Sequence, residues 1–202
     1  MYLSKVRVTG VGCRNPYELH RVLWGVFPVD GAAKRDFLFR VEKSDGKQAE
    51  VLMQSLRCPS LGSKEARVTA IKDYPLLLHE GQRLRFLLVA NPVKTIDDEG
   101  GRKNAKGEMK KCRVPLVNID EQRAWIERKL TICASLEFLE MDGKAPLYFR
   151  KNRADITGKI QPVVFQGVLT VKDPDALVSL IRRGIGPAKA FGCGLLSLAR
   201  AS

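Results

Sequence analysis

The sequence predicts an α+β protein made of two tandem ferredoxin-like domains, each with the RRM-like order β-α-β-β-α-β. Two observations lead to this prediction. Short runs of alternating apolar and polar residues, typical of half-buried strands, are separated by segments in which apolar residues recur with helical spacing. The resulting order of strands and helices occurs twice along the 202 residues. In such an arrangement, helices cover one face of an antiparallel sheet.

The first domain is predicted to span residues 1–78 and opens with an alternating strand from Tyr2 to Val8. A helix from Pro16 to Phe27 follows, because Asn15 is a favourable N-cap and proline suits the first helical position. Glu18 stands three residues after the cap, as in a capping box. Two hairpin strands follow, at Phe37–Val41 and Glu50–Leu56. The segment Cys58–Lys64 is too short for more than one helical turn, and Ala66–Tyr74 is the fourth strand.

The second domain is predicted to span residues 79–202. It opens with a strand from Arg83 to Ala90, which a polar loop from Thr95 to Arg113 separates from a helix over Glu121–Leu130. The Asp173-Pro174 pair caps a second helix that runs through Arg183. The other strands are Ser135–Glu140, Pro162–Val171 and Leu195–Leu198.

The net charge points to a polyanionic partner. Thirty-five Lys and Arg residues oppose 22 Asp and Glu residues, which gives a formal charge of +13. Nucleic acid is the favoured partner, and an anionic membrane surface is the second choice. No apolar run approaches the roughly 20 residues of a spanning helix, and the first residues read as a strand rather than a signal peptide. The sequence therefore predicts no membrane-spanning helix, and because nucleic acid is favoured over a membrane surface, we expect no membrane partner.

The cysteine pattern predicts a protein of the reducing cytoplasm. The five cysteines are scattered without a CxxC pair, which argues against a zinc site and against a disulfide framework. The acidic run at residues 97–99 is interpreted as a solvated loop and not as a two-metal nuclease site. We therefore expect no metal and no cofactor.

The excess basic charge lies in two clusters that fall in predicted loops. Such loops can follow a phosphate backbone, although solvated loops without a partner are the alternative interpretation. The aromatic stretch that stacks bases in standard RNA-recognition modules is absent, so a structured RNA stem is favoured over free single strands. The clustered residues are Arg102, Lys103, Lys106, Lys110, Lys111 and Arg113, and then Arg150, Lys151, Arg153 and Lys159.

His20 is the candidate for acid–base chemistry. It lies at the border of the apolar stripe of the first helix, with Tyr17 one turn before it and Trp24 one turn after it. A histidine titrates near neutral pH and can exchange protons with a ribose 2′-hydroxyl and a leaving 5′-oxygen, so that RNA cleavage needs no metal. A boundary histidine without catalytic function is the alternative. His79 falls in a predicted turn and is assigned a structural role.

The chain ends in a Gly-rich segment around a lysine. Its spacing matches neither a P-loop nor a dinucleotide-binding fingerprint. A loop that presents backbone N–H groups to an anion and a helix C-cap followed by a turn are both compatible with it. The residues concerned are Gly184, Gly186, Lys189, Gly192 and Gly194.

Ordered stretches over nearly the whole chain resemble the CasE family of CRISPR repeat-processing endoribonucleases, which act in the type I-E Cascade complex. The matching stretches include N-P-Y-E-L-H-R-V-L-W, L-R-F-L-L-V-A-N-P-V-K-T, G-K-I-Q-P-V-V-F-Q-G-V-L-T-V and G-I-G-P-A-K-A-F-G-C-G-L-L-S-L-A. The resemblance implies two ferredoxin-like domains that bind the hairpin of the repeat transcript. It also implies metal-independent cleavage at the 3′ base of the stem, which leaves a 2′,3′-cyclic phosphate or 3′-phosphate and a 5′-hydroxyl.

The resemblance further implies partners and site residues. The protein is expected to stay on the guide RNA as a Cascade subunit, beside the backbone subunit at the 3′ end of the guide. The family's catalytic residues fall on His20, Tyr17 and Lys159, and its stem-gripping hairpin falls on the cluster that begins at Arg150. Lys189 and Arg21 are assigned to RNA binding, with a weaker match for Arg21 and for the cluster that begins at Arg102. A non-catalytic hairpin-binding subunit of the same complex is the alternative, whereas a ribosomal or RRM-type module fits the charge but not the ordered match.

Overall fold

The protein has an α+β fold with two four-stranded antiparallel sheets. The computed structural model describes residues 1–13, 15–28, 36–60, 62, 64–98, 100–150 and 157–201. One apolar core lies on a face of each sheet, and one helix covers the first core while two helices cover the second. This arrangement confirms the predicted α+β class and the predicted order of the long strands along the chain.

The first sheet contains the strands β1 (Tyr2–Thr9), β2 (Phe37–Ser44), β3 (Gln48–Ser55) and β4 (Ala66–Asp73), in the order β2-β3-β1-β4. Helix α1 (Pro16–Trp24) packs on it through the buried residues Leu19 and Leu23. Several bounds differ from the sequence prediction, such as β2, which runs on to Ser44. The helix ends at Trp24 rather than Phe27, and the described residues between 58 and 64 form no helix.

The second sheet has the order β12-β5-β11-β8, which repeats the topology of the first. Two helices cover its core, in which Trp125 stacks on Phe165 at 5.9 Å between ring centroids. The elements of this half are β5 (Arg83–Ala90), β6 (Val93–Asp97), β7 (Lys111–Pro115), α2 (Ile119–Leu130), β8 (Ala134–Gly143), β9 (Leu147–Arg150), β10 (Thr157–Ile160), β11 (Val163–Val171), α3 (Pro174–Arg183) and β12 (Leu196–Arg200).

The segment from Thr95 to Arg113, predicted to be a polar loop, is an ordered hairpin, which we name the basic arm (residues 93–115). Strands β6 and β7 pair in antiparallel register, and beyond them the Asp98 N–H donates to the Lys110 carbonyl (2.8 Å) and the Lys110 N–H donates to the Arg102 carbonyl (2.9 Å). The buried Asp98 carboxylate accepts hydrogen bonds from the Arg102 guanidinium (2.6 Å) and from the Cys112 thiol (3.2 Å). The bond from Arg102 holds the pKa of Asp98 well below its usual value. Strands are predicted from alternating apolar and polar residues, and this hairpin, which polar contacts stabilise, lacks that alternation. Its sequence therefore predicted a loop.

Hydrogen bonds between side chains and backbone join the two sheets. The buried Arg40 of β2 donates through Nη1 to the Leu87 carbonyl (3.3 Å) and to Ser197 Oγ (2.9 Å). The buried Gln54 of β3 donates to the Ile181 carbonyl in α3 (3.0 Å). These contacts place one edge of the first sheet against β5, β12 and α3.

Candidate active site

Helix α1 begins where the sequence predicts and carries two of the predicted catalytic residues. The Asn15 side chain caps the helix by accepting from the Tyr17 backbone N–H at 3.0 Å, and Pro16 occupies the first turn. With Leu19 and Leu23 buried, Tyr17 and His20 are left half-buried at the border of the apolar stripe. The helix therefore presents both side chains at the edge of the first core.

Aromatic rings of β2 surround the His20 imidazole. The imidazole lies nearly parallel to the rings of Phe37 and Phe39, with centroid distances of 5.6 and 6.4 Å, and meets Trp24 edge-on at 6.4 Å. Phe37 and Phe39 are buried in the first core. Packing of α1 on the sheet therefore sets the orientation of the imidazole, and stacking of this kind contributes about 0.5–1.5 kcal/mol per aromatic pair.

Arg57 lies beside the aromatic rings that surround His20, and the sequence analysis did not single it out. Its guanidinium lies over the rings of Phe27 (4.8 Å) and Trp24 (5.7 Å) and donates two hydrogen bonds to Asp36 at 2.8 and 2.9 Å. The bond from Arg57 lowers the pKa of Asp36. Arg57 lies outside both basic clusters, so no signal in the sequence distinguishes it from other surface arginines.

Strands β9 and β10 form the hairpin that carries Lys159. Lys159 is exposed on β10 and pairs across the hairpin with Tyr148 of β9, with its Nζ 5.9 Å from the centroid of the tyrosine ring. Arg150 is the last residue of β9. Lys151 and Arg153 lie outside the described residues, so their predicted role in RNA binding stays a prediction.

The opposite face of the β9–β10 hairpin is attached to the second half of the protein. Leu147 and Ile160 pair across this face and pack near the buried Cys193, whose thiol pKa is raised by burial to about 12. The ring of Phe149 packs on Phe191 with 4.4 Å between centroids. The hairpin therefore has one anchored apolar face and one polar face turned to solvent.

The Gly-rich segment forms a tight turn over residues 184–194. Gly194 has φ +94°, and a Cβ there would lie 2.8 Å from the Ile185 carbonyl oxygen, so only glycine fits. Backbone bonds from Ile185 N–H to the Gly194 carbonyl (2.9 Å) and from Gly194 N–H to the Val89 carbonyl (2.7 Å) close the turn. Lys189 begins its short 3-10 helix, Lys189–Phe191. The other predicted glycines, Gly184, Gly186 and Gly192, also have positive φ, and Gly184 caps α3.

Three of the predicted site segments converge. Helix α1 contacts both the 3-10 helix of the Gly-rich turn and strand β9. The fold therefore brings the helix of Tyr17 and His20, the hairpin of Lys159 and the turn of Lys189 to one region, although they are distant along the chain.

The basic arm stands apart from this convergence, whereas Arg21 lies on α1 itself. Within the described ranges, no comparable contact joins α1 to β6 or β7. Arg102 is engaged by Asp98, Lys111 pairs with Asp97, and Arg21 is exposed and pairs with Glu18 at 2.7 Å. The arm still presents a row of exposed cations, at Arg102, Lys103, Lys106, Lys110, Lys111 and Arg113.

Among the residues that the structure describes, no three His, Cys, Asp or Glu side chains are grouped so that they could hold a metal ion. Over the same residues, no helix has the length and apolar character needed to cross a membrane.

Comparison of the sequence with known proteins identifies relatives over nearly the full chain. The family described as CRISPR associated protein matches residues 1–200. The Cascade subunit CasE of Escherichia coli K12 is 46% identical over 200 residues, which cover 98% of this chain and 99% of CasE. The CRISPR-associated endoribonuclease Cse3 of Thermus thermophilus is 34% identical over 204 residues, with 92% and 90% coverage.

Solved structures agree with these relatives. The crystal structure of Cas6e from Escherichia coli K-12 matches with a TM-score of 0.85 at 44% identity, over 100% of both chains. A structure of Cse3 bound to a 19-nucleotide RNA matches with a TM-score of 0.76 at 34% identity, over 98% of this chain and 100% of that one. The resemblance seen in the sequence is confirmed, and the chain belongs to the CRISPR-associated protein family of CasE and Cse3.

Proposed function

We propose that the protein is a CRISPR endoribonuclease that binds the stem-loop of the repeat transcript and cuts at the 3′ base of the stem. The mature guide RNA then stays bound, and the protein serves as the subunit of a type I-E Cascade complex next to the backbone subunit at the 3′ end of the guide. The relatives support this assignment, because Cse3 is an endoribonuclease with a solved RNA complex and CasE is a Cascade subunit.

One observation carries the chemical proposal. The α1 helix with Tyr17 and His20 contacts strand β9, and β9 pairs with the strand that carries Lys159. An acid–base side chain and a solvent-facing ammonium are thus held by adjacent, anchored elements. General acid–base catalysis requires such positioned groups near the proton that moves.

The proposed reaction is a transesterification within the RNA. The ribose 2′-oxygen forms a bond to phosphorus while the P–O5′ bond breaks, which leaves a 2′,3′-cyclic phosphate and a 5′-hydroxyl. One proton leaves the 2′-hydroxyl and one is delivered to the 5′-oxygen, and His20 serves in this proton transfer, with Tyr17 beside it. The Lys159 ammonium stabilises negative charge that develops on the phosphate. RNA supplies its own nucleophile, so the proposal includes no metal ion.

We further propose that each sheet, with its helices, is a ferredoxin-like domain and that the boundary lies at residues 78/79. The identical strand order of the two sheets supports this division, and β4 ends at Asp73 while β5 begins at Arg83. The prediction of a cytoplasmic protein is retained from the cysteine pattern.

A cleavage assay on a repeat hairpin RNA tests the function. We expect cleavage in EDTA, and no cleavage when the nucleotide 5′ to the cut carries a 2′-deoxy substitution that leaves binding intact. Binding without cleavage of the unmodified RNA would instead identify a non-catalytic hairpin-binding subunit. Activity that is lost in EDTA and restored by magnesium would contradict the metal-independent mechanism.

A further inference from the structure

We propose that Tyr148 is a stacking platform for the first unpaired base on the 3′ side of the cut. The inference rests on the proposed function, because it takes the site beside α1 to be the place of cleavage. Tyr148 lies on the solvent-facing side of the β9–β10 hairpin, the same side as Lys159.

The exposure of Tyr148 is the first observation. The ring is 67% exposed, whereas the other three tyrosines of the chain are half-buried. Its neighbours Leu147 and Phe149 point to the opposite face of the strand and pack against Cys193 and Phe191. Tyr148 is therefore an aromatic ring held in solvent by an anchored hairpin, which keeps one face of the ring available at a low entropic cost.

The pairing with Lys159 is the second observation. The two residues are direct cross-strand partners, and the ammonium lies 5.9 Å from the ring centroid. Aromatic rings beside cations are the combination that binds unpaired nucleotides, because the ring stacks on the base and the cation contacts the phosphate. A base stacked on Tyr148 places its own 5′ phosphate toward Lys159, and for the first nucleotide after the cut this is the scissile phosphate.

The geometry of the reaction explains why such a platform is useful. In a continuous A-form stack the 2′-oxygen is not in line with the P–O5′ bond, so the nucleotide after the cut must leave the stack before the reaction. At the 3′ base of a stem, that nucleotide is the first one without a pairing partner. Stacking its base on Tyr148 holds the leaving 5′-oxygen opposite the attacking 2′-oxygen, which is an effect of orientation.

The test is a cycle of protein and RNA changes, measured first as binding. The RNA carries the 2′-deoxy substitution that blocks cleavage and has either a normal or an abasic nucleotide directly 3′ of the cut. We expect Tyr148→Ala to weaken binding about tenfold and Tyr148→Phe to bind normally. The abasic RNA should weaken wild-type binding by the same factor and should not weaken Tyr148→Ala further.

Matched controls separate stacking from general effects. Phe138→Ala removes another exposed aromatic, on β8, and should bind normally. An abasic nucleotide three positions further 3′ should have equal effects on wild type and Tyr148→Ala. On cleavable RNA at saturating protein, Tyr148→Ala should also lower the single-turnover rate about tenfold, whereas Tyr148→Phe should not.

The proposal is wrong if Tyr148→Ala and the abasic nucleotide weaken binding independently, so that their factors multiply. It is also wrong if Tyr148→Ala binds the normal RNA as tightly as the wild-type protein does. Neither result touches the proposed function, which wild-type cleavage establishes by itself. Should the wild-type protein bind without cleaving, the binding cycle still decides whether Tyr148 stacks the base.

Discussion

At the scale of single residues, the environment of His20 holds the imidazole at the border of the first core. The imidazole is stacked beside the buried rings of Phe37 and Phe39, and the residue is half-buried, with its Nε2 atom buried. This aromatic packing sets the position of the ring for the proposed proton transfer. The second histidine, His79, lies in the exposed turn before β5, where it donates its backbone N–H to Gln82 Oε1.

The two histidines provide a matched pair of substitutions. We expect His20→Ala to lower the single-turnover cleavage rate by about 100-fold or more, because loss of general acid–base catalysis has that magnitude. His79→Ala should cleave at the wild-type rate. Binding of 2′-deoxy RNA by His20→Ala should stay within about threefold of wild type, because hairpin recognition depends on phosphate contacts elsewhere. Wild-type cleavage by His20→Ala would remove it from the mechanism.

At the scale of elements, the attachment of the β9–β10 hairpin depends on a glycine. Gly158 lies beneath the ring of Phe149, and a Cβ at residue 158 would come within 2.5 Å of the Phe149 Cε1 atom. Phe149 in turn packs on Phe191 of the Gly-rich turn. A larger side chain at Gly158 is therefore expected to shift the β9–β10 hairpin, and with it Lys159, relative to α1.

Gly158→Ala is therefore expected to slow cleavage about tenfold or more, since misplacement of a catalytic group by about 1 Å can cost a factor of 100. The unfolding midpoint should fall only slightly, because the hairpin lies outside both main cores. Gly143→Ala is the control, since a Cβ there meets no atom within 4 Å. Equal rates for the two variants would show that the hairpin position does not matter for cleavage.

The basic arm is the second element with a testable role. Lys103 and Lys106 are exposed near its tip. If the arm follows the RNA backbone, replacing both with alanine should lower the slope of log Kd against log salt concentration by about one to two units. The control is the replacement of two other exposed lysines, Lys47 in the β2–β3 turn and Lys72 on β4, which should leave the slope unchanged. An unchanged slope for the arm variant would place the arm outside the RNA interface.

At the scale of the whole molecule, buried polar contacts help to join the two sheets. Arg40 is only 5% exposed and reaches from β2 to β5 and β12. The opposite face of the same strand carries Phe37 and Phe39 beneath His20. Arg40 thus connects the strand that supports His20 to the half of the protein that carries Lys159.

Arg40→Met should lower the free energy of unfolding by about 1–3 kcal/mol, because buried hydrogen bonds of a charged group are lost and their acceptors are left unpaired. Urea denaturation measures this change. Arg83→Met is the control: Arg83 binds Glu137 at 2.6 Å but is 61% exposed, so its loss should cost less than about 1 kcal/mol. A smaller loss for Arg40→Met than for Arg83→Met would contradict the role of Arg40 between the sheets.

Much of the molecule follows from the sequence by itself. The sequence by itself indicates the basic charge, the capped start of α1, the position of His20 at a helix border and the order of strands along the chain. Charge, capping and periodicity depend on residues close together in the sequence. The family follows from ordered stretches of residues that match it. The convergence of α1, the β9–β10 hairpin and the Gly-rich turn depends on pairings between distant strands. Only the tertiary structure decided that Phe37 and Phe39 stack on His20 and that Arg57 contacts Trp24. It also decided that the basic arm is ordered around Asp98 and that Arg40 contacts the second sheet. Each of them joins side chains whose proximity follows from packing rather than from local sequence.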